Sequence, residues 1–211
     1  MSGFLRLLSL SIALFAAPTL SAAEAEPPGR VGRISLASAG TQLRIGDSLA
    51  SGEDTLNWPL TTGALIETSA GGRSEVRIGS TALHIDGGTA LEFADLDDAR
   101  IRLRLHRGSI VIVLRNPEHA AETTLETPEG SLRFETPGSY RADVAGGTTA
   151  FSANRGRAFI EMFGLTVHAG ERIVLLGGPD HRYLLGQTTT DAFRQWSLAR
   201  EPGPALGQHV S

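Results

Sequence analysis

The chain has 211 residues, of which 41% are hydrophobic and 20% charged, with a formal net charge of −4. That is enough apolar material for an ordinary core, and it lacks the basic excess of a nucleic-acid surface. There is no cysteine, which excludes disulfide staples, a thioether lipid anchor and thiolate metal sites together. All 19 Lys-or-Arg positions are arginine, so Schiff-base lysines, P-loop lysines and amine nucleophiles are excluded as well.

Residues 1–25 divide into the three parts of a secretory signal peptide. Arg6 supplies the positive start, Leu7 to Ala17 the apolar run, and Pro18 breaks that run before the small residues begin. Cleavage is expected after Ala23-Glu24-Ala25, with Leu20-Ser21-Ala22 as a second site. The run is too short to span a bilayer comfortably, and no later segment is apolar enough to do so. A soluble, periplasmic mature chain with no transmembrane segment is therefore expected. Residues 26–30, with Pro27-Pro28-Gly29, read as an extended linker.

From Val31 onward, apolar residues recur with period two in short runs, the pattern of half-buried strands. Ile34 with Leu36, Leu43 with Ile45, Val76 with Ile78, Leu83 with Ile85, and Leu91 with Phe93 are successive pairs. Turn chemistry separates them, at Gly79-Ser80, Asp86-Gly87-Gly88, Gly146-Gly147 and Gly177-Gly178. The clearest strand holds Ile101, Leu103 and Leu105 on one face and Arg102 and Arg104 on the other, with Arg100 in phase with the arginines. Gly108 is expected to turn the chain into Ile110 to Leu114, an unbroken apolar run that reads as a strand buried on both faces. Asp191 to Arg200 reads as a short helix capped by Thr190 or Asp191, docked through Phe193 and Trp196 and stopped before Pro202. The predicted fold is all-β: a roll, a sandwich or a β-solenoid-like stack of short strands with glycine turns, plus one short C-terminal helix. The β domain spans 31–187, the helix segment 188–202, and a loose tail 203–211.

Leu60-Thr61-Thr62-Gly63-Ala64-Leu65-Ile66-Glu67-Thr68, followed by Gly72-Arg73-Ser74-Glu75-Val76-Arg77-Ile78-Gly79, is similar to the opening strands of the FecR domain. Leu105-His106-Arg107-Gly108-Ser109-Ile110 resembles its leucine-x-x-glycine strand. Thr136-Pro137-Gly138-Ser139-Tyr140 through Val144, with Arg155-Gly156-Arg157-Ala158, resembles its glycine-x-aromatic strand and the strand that follows. Leu91-Glu92-Phe93 with Leu96-Asp97-Asp98, and the terminal Phe193-x-x-Trp196, are similar to a subgroup of exported FecR-like proteins. FecR regulators carry a sigma-factor-binding region and a membrane helix ahead of the periplasmic domain, whereas here a cleavable signal is expected in their place. The resemblance therefore implies the periplasmic sensing or scaffolding part, with direct sigma-factor control not expected.

Candidate catalytic groups are few. His84, His106, His119, His168, His181 and His209 are scattered without metal-ligand spacing. Asp95, Asp97 and Asp98 lack the glycine and distal glutamate of a calcium loop. No G-x-S-x-G elbow is present. No cofactor is implied. The candidate binding residues are Arg100, Arg102 and Arg104, joined in sequence by Arg107. On a strand the first three would share a face at about 6.6–7 Å spacing and could engage a row of phosphates or carboxylates. A solvated face paired to neighbouring carboxylates is the simpler and favoured reading of the same row. The expected function is that of a non-catalytic binding, sensing or scaffolding module of the cell envelope, its partner an unknown envelope protein or a polyanionic glycan. The alternative is a periplasmic glycan or peptide hydrolase using paired carboxylates.

Overall fold

The computed structural model describes residues 30–201. The signal peptide expected at 1–25, residues 26–29 of the expected linker and the tail expected at 203–211 lie outside the described residues. In chain order the strands are β1 (Gly32–Ala37), β2 (Thr41–Ile45), β3 (Ser48–Ser51), β4 (Pro59–Leu60), β5 (Ala64–Thr68), β6 (Ser74–Ile78), β7 (Thr81–Ile85), β8 (Ala90–Leu96) and the long β9 (Ile101–Leu114). Helix α1 (Pro117–Glu122) follows. Next come β10 (Thr123–Thr127), β11 (Gly130–Phe134), β12 (Gly138–Ala145), β13 (Thr148–Arg155), β14 (Ala158–Ile160), β15 (Leu165–Val167), β16 (Glu171–Leu176) and β17 (Arg182–Gln187), and α2 (Ala192–Leu198) ends the series.

Strand pairing resolves the fold as a two-leaved sandwich. The first sheet runs β4-β1-β6-β7-β9-β12-β13-β16-β17. The second runs β3-β2-β5-β8-β9-β10-β11-β14-β15. These pairs are antiparallel except β9 with β10, where α1 helps carry the chain back to the start of β9.

β9 belongs to both sheets. Its first half pairs with β8 and β10, and its second half with β7 and β12. The expectation that Gly108 turns the chain into a new strand is therefore corrected: the strand continues and bends there. Gly108 has φ +88°, and a Cβ at that position would lie 2.4 Å from the Thr89 Cα, so the crossing from one leaf to the other requires glycine.

The period-two residues fill the space between the leaves. Ile34, Val76, Leu83, Ile85, Ile110, Ile112, Tyr140 and Phe151 from the first sheet meet Leu43, Ile66, Leu91, Phe93, Leu103, Leu105, Leu125 and Phe134 from the second in one contiguous cluster. Removing such side chains from water contributes about 1.5–3 kcal/mol each. The unbroken run at the end of β9 is buried on both faces. Ile110, Ile112 and Leu114 belong to the inter-sheet core, whereas Val111 and Val113 join Ala82 and Phe193 in a second cluster beneath α2, with Trp196 packed against it.

Asp191 caps α2, its Oδ1 accepting from the Arg194 N–H at 2.7 Å. The sequence reading has a single helix, and α1 is an addition to it. Asn116 Oδ1 accepts from the His119 N–H at 2.7 Å and Pro117 occupies the first turn, but six residues are too few to display an apolar periodicity. Among the described residues no helix is long and apolar enough to cross a membrane.

Candidate functional site

The outer face of the second sheet carries the arginine row. Register sets Glu92 opposite Arg104 and Asp95 opposite Arg102 on β8, while parallel β10 sets Glu126 beside Arg104. Arg104 donates from Nη1 to Glu92 Oε1 at 3.1 Å and from Nη2 to Glu126 Oε2 at 2.9 Å. Arg102 reaches Asp95 at 2.7 Å and the other oxygen of Glu126 at 3.6 Å. The pairing slips by one residue between Leu91↔Leu105 and Ala90↔Arg107. That bulge leaves His106 and Arg107 both outside, where they meet Glu92 and Glu67 at 2.8 and 2.7 Å. The Glu126 hydrogen bond raises the Arg104 pKa further, against partial burial. Burial pushes the Glu92 carboxyl upward, but hydrogen bonds from His106 and Arg104 outweigh it and hold the group below its ordinary range.

The structure thus brings Arg102, Arg104 and Arg107 onto one interleaved ladder of guanidinium and carboxylate. Arg100 stands apart, before the strand begins, with its side chain 70% exposed and Asp97 3.9 Å away. Asp97 itself accepts the backbone N–H groups of Ala99 and Arg100, both at 2.8 Å, which lower its pKa. The acidic cluster therefore divides, with Asp95 on Arg102 and Asp97 on the backbone turn. Among the described residues no three His, Asp or Glu side chains gather as a metal site would need.

The outer face of the first sheet holds a polar joint that sequence reasoning missed. Beside the apolar contacts of Phe193 and Trp196, α2 places Ser197 Oγ 2.6 Å from His84 Nδ1 on β7. The far ring nitrogen of His84 lies 4.0 Å from Glu75 Oε2 and has no hydrogen-bond partner among the described residues. Burial drives the His84 pKa down to about 4, with Glu75 and Glu201 pushing the other way and Arg77 and Arg200 adding to the fall. Arg194 donates to Ser139 Oγ at 3.2 Å, and Ser139 donates to Glu201 at 2.9 Å. The Arg200 guanidinium lies 4.2 Å from the Trp196 ring centroid.

Serine, histidine and glutamate in this order have the composition of a hydrolytic triad. Ser197 and His84 are both 0% exposed, however, and Glu75 does not hydrogen-bond the ring. A nucleophile needs open approach and a base oriented by a third group, and this cluster provides neither. A hollow of about 460 Å³ opens nearby between Val113, Arg115, Pro137, Gly138, Arg155 and Glu201. Glu201 is the carboxylate on its wall, bonded to Arg155 at 2.5 Å, so two carboxylates do not converge there.

The motif glycines serve packing around Tyr140. Its hydroxyl lies 2.7 Å from the Thr136 carbonyl and 3.0 Å from that of Arg157. A Cβ on Gly138 would lie 2.8 Å from that hydroxyl, and one on Gly156 would lie 2.1 Å from it.

No protein-family model and no curated protein matches the chain. Two crystal structures described as a "putative anti-sigma factor from Parabacteroides distasonis ATCC 8503", at 2.50 and 1.65 Å, are similar to it at a TM-score of 0.49 each. Their identities to this chain are 15% and 14%, and each match spans 58% of this chain and 59% of the other.

Proposed function

We propose that this chain is a FecR-like β module of the bacterial cell envelope that holds a partner on its surface and carries out no catalysis. The observation that carries this reading is the ladder on the second sheet. Arg102, Arg104 and Arg107 keep 44%, 39% and 57% of their side-chain surface open while each is already paired. Exposed pairs of this kind contribute about 0–1 kcal/mol to stability, and they exchange readily with a partner's charges. Glu67, Glu92, Asp95 and Glu126 interleave with the three arginines, so the face carries both signs with one carboxylate in excess. That arrangement favours an envelope protein bearing both signs of charge over a polyanionic glycan, which would meet four carboxylates. The sequence motifs resembling the FecR domain bear on the fold of the module, because Gly108, Gly138, Tyr140 and Gly156 are engaged in packing.

The test uses the protein expressed with its own leader. A photoreactive residue in place of Arg102 should crosslink a recurrent envelope protein, and the same residue in place of Arg33 on the other sheet should not. Crosslinking at low salt should fall when Arg104 and Arg107 are also changed to glutamine. N-terminal sequencing should find the periplasmic form beginning near Glu26. Turnover of glycan or peptide by the purified protein, or indifference of the crosslink to its position, would overturn the proposal.

A further inference from the structure

The free edge of β17 differs from the other sheet edges. β4 has two residues, one of them Pro59, β15 has three, and β3 has four. These are the short or proline-marked edges that natural sheets use to avoid pairing with other chains. β17 has six residues in unbroken register with β16, from Glu171↔Gln187 to Leu176↔Arg182, and contains no proline or bulge. Its only charge, Arg182, sits at one end. All six residues are exposed, with Leu184 at 57% and Leu185 at 74%. Among the described residues β17 pairs with β16 alone, which leaves a row of backbone N–H and C=O groups open along its other side, flanked by leucines.

We propose that β17 is the docking edge for a second copy of this chain, the two β17 strands pairing antiparallel about a two-fold axis perpendicular to the sheet. The self-complementarity of the strand selects this occupant. A two-fold axis of that orientation brings together residues on the same face, so a pairing centred on Leu184 sets it against the partner's Leu184. The same register sets Tyr183 against the partner's Leu185, and Leu185 against the partner's Tyr183. Aromatic–aliphatic pairs are among the favourable cross-strand contacts.

Arg182 then meets the partner's Gly186, so no like charges oppose. Tyr183 and Leu185 lie on the face of Leu175 and Ile173, with which they are in register. The Phe163 ring, 5.4 Å from Tyr183, continues that apolar face, and Met162 beside it is 54% exposed. Pairing therefore extends the core past the edge of the sandwich and joins two nine-stranded sheets into one.

The test is mass in solution by light scattering during size exclusion, measured on the mature chain. The wild type should elute at twice the chain mass, and Leu184→Lys should elute at the single-chain mass. Leu49→Lys, at a 70% exposed leucine on the opposite edge, should stay dimeric. Because the chain has no cysteine of its own, Leu184→Cys should give a single symmetric crosslinked dimer under mild oxidation. Circular dichroism should show the same strand content in all variants. A monomeric wild type, a dimer that survives Leu184→Lys, or failure of Leu184→Cys to crosslink would each overturn the proposal.

Discussion

Single residues in this protein are constrained by what lies within a few ångströms of them, and two positions show how far the sequence discloses that. The sequence marks Gly156 as part of a glycine-aromatic motif, and the structure supplies the reason. With φ +86° and the Tyr140 hydroxyl 2.1 Å from where a Cβ would lie, Gly156→Ala should cost about 3 kcal/mol through strain and overpacking. Gly146→Ala, at φ +59° with open space around it, should cost about 1 kcal/mol. Urea midpoints of the two variants check the difference.

His84 was legible only as one scattered histidine, because its partner Ser197 lies 113 residues away. The clue available in sequence was a histidine between two core residues, Leu83 and Ile85, on a strand buried throughout. Its folded pKa of about 4 lies below the ordinary 6.5, so the folded state keeps the ring neutral while the unfolded chain takes up a proton below 6.5. Stability from this site is complete above pH 6.5, falls as pH drops toward 4, and then levels off. Between pH 7.5 and 5 the loss should be about 2 kcal/mol. The groups facing the ring are Glu75, Arg77, Arg200 and Glu201, so a His84→Gln variant is the proper comparison. Denaturant unfolding at the two pH values should show a flatter dependence for it.

Among elements, those whose local signal agrees with their packing were legible. α2 is foreshadowed by Asp191, Phe193 and Trp196, which cap it and seat it on Ala82, Val111 and Val113. Phe193 is 2% exposed, and Phe193→Ala should destabilise the protein by about 3 kcal/mol, readable as a lowered denaturant midpoint. β9 was half legible. Its alternating and continuous apolar halves are plain in sequence, but the bend at Gly108 is set by Thr89 on a neighbouring segment, a contact that periodicity does not record. α1 escaped because its signal is confined to the Asn116 cap and Pro117.

At the scale of the whole molecule, both sheets contribute their inner faces to one core, and the two outer faces differ in kind. One is closed by α2 over a buried polar joint. The other is an open ladder of paired charges. The arginine row was visible in sequence because alternation on a strand is local. Its partners Glu67, Glu92 and Glu126 come from three other strands, so its neutralisation was not visible.

Partner affinity across a salt series, compared between wild type and Arg102→Gln/Arg104→Gln/Arg107→Gln, decides whether the open ladder is the functional face. The crosslinked envelope protein should bind the variant about tenfold more weakly at low salt, a difference of about 1.4 kcal/mol. The gap should close as salt rises, because exposed charge contacts are screened within about 8–10 Å at physiological ionic strength. Unfolding free energies should differ by no more than about 1 kcal/mol per arginine replaced, the range of exposed ion pairs. Equal affinity of the two proteins at every salt concentration would contradict the claim.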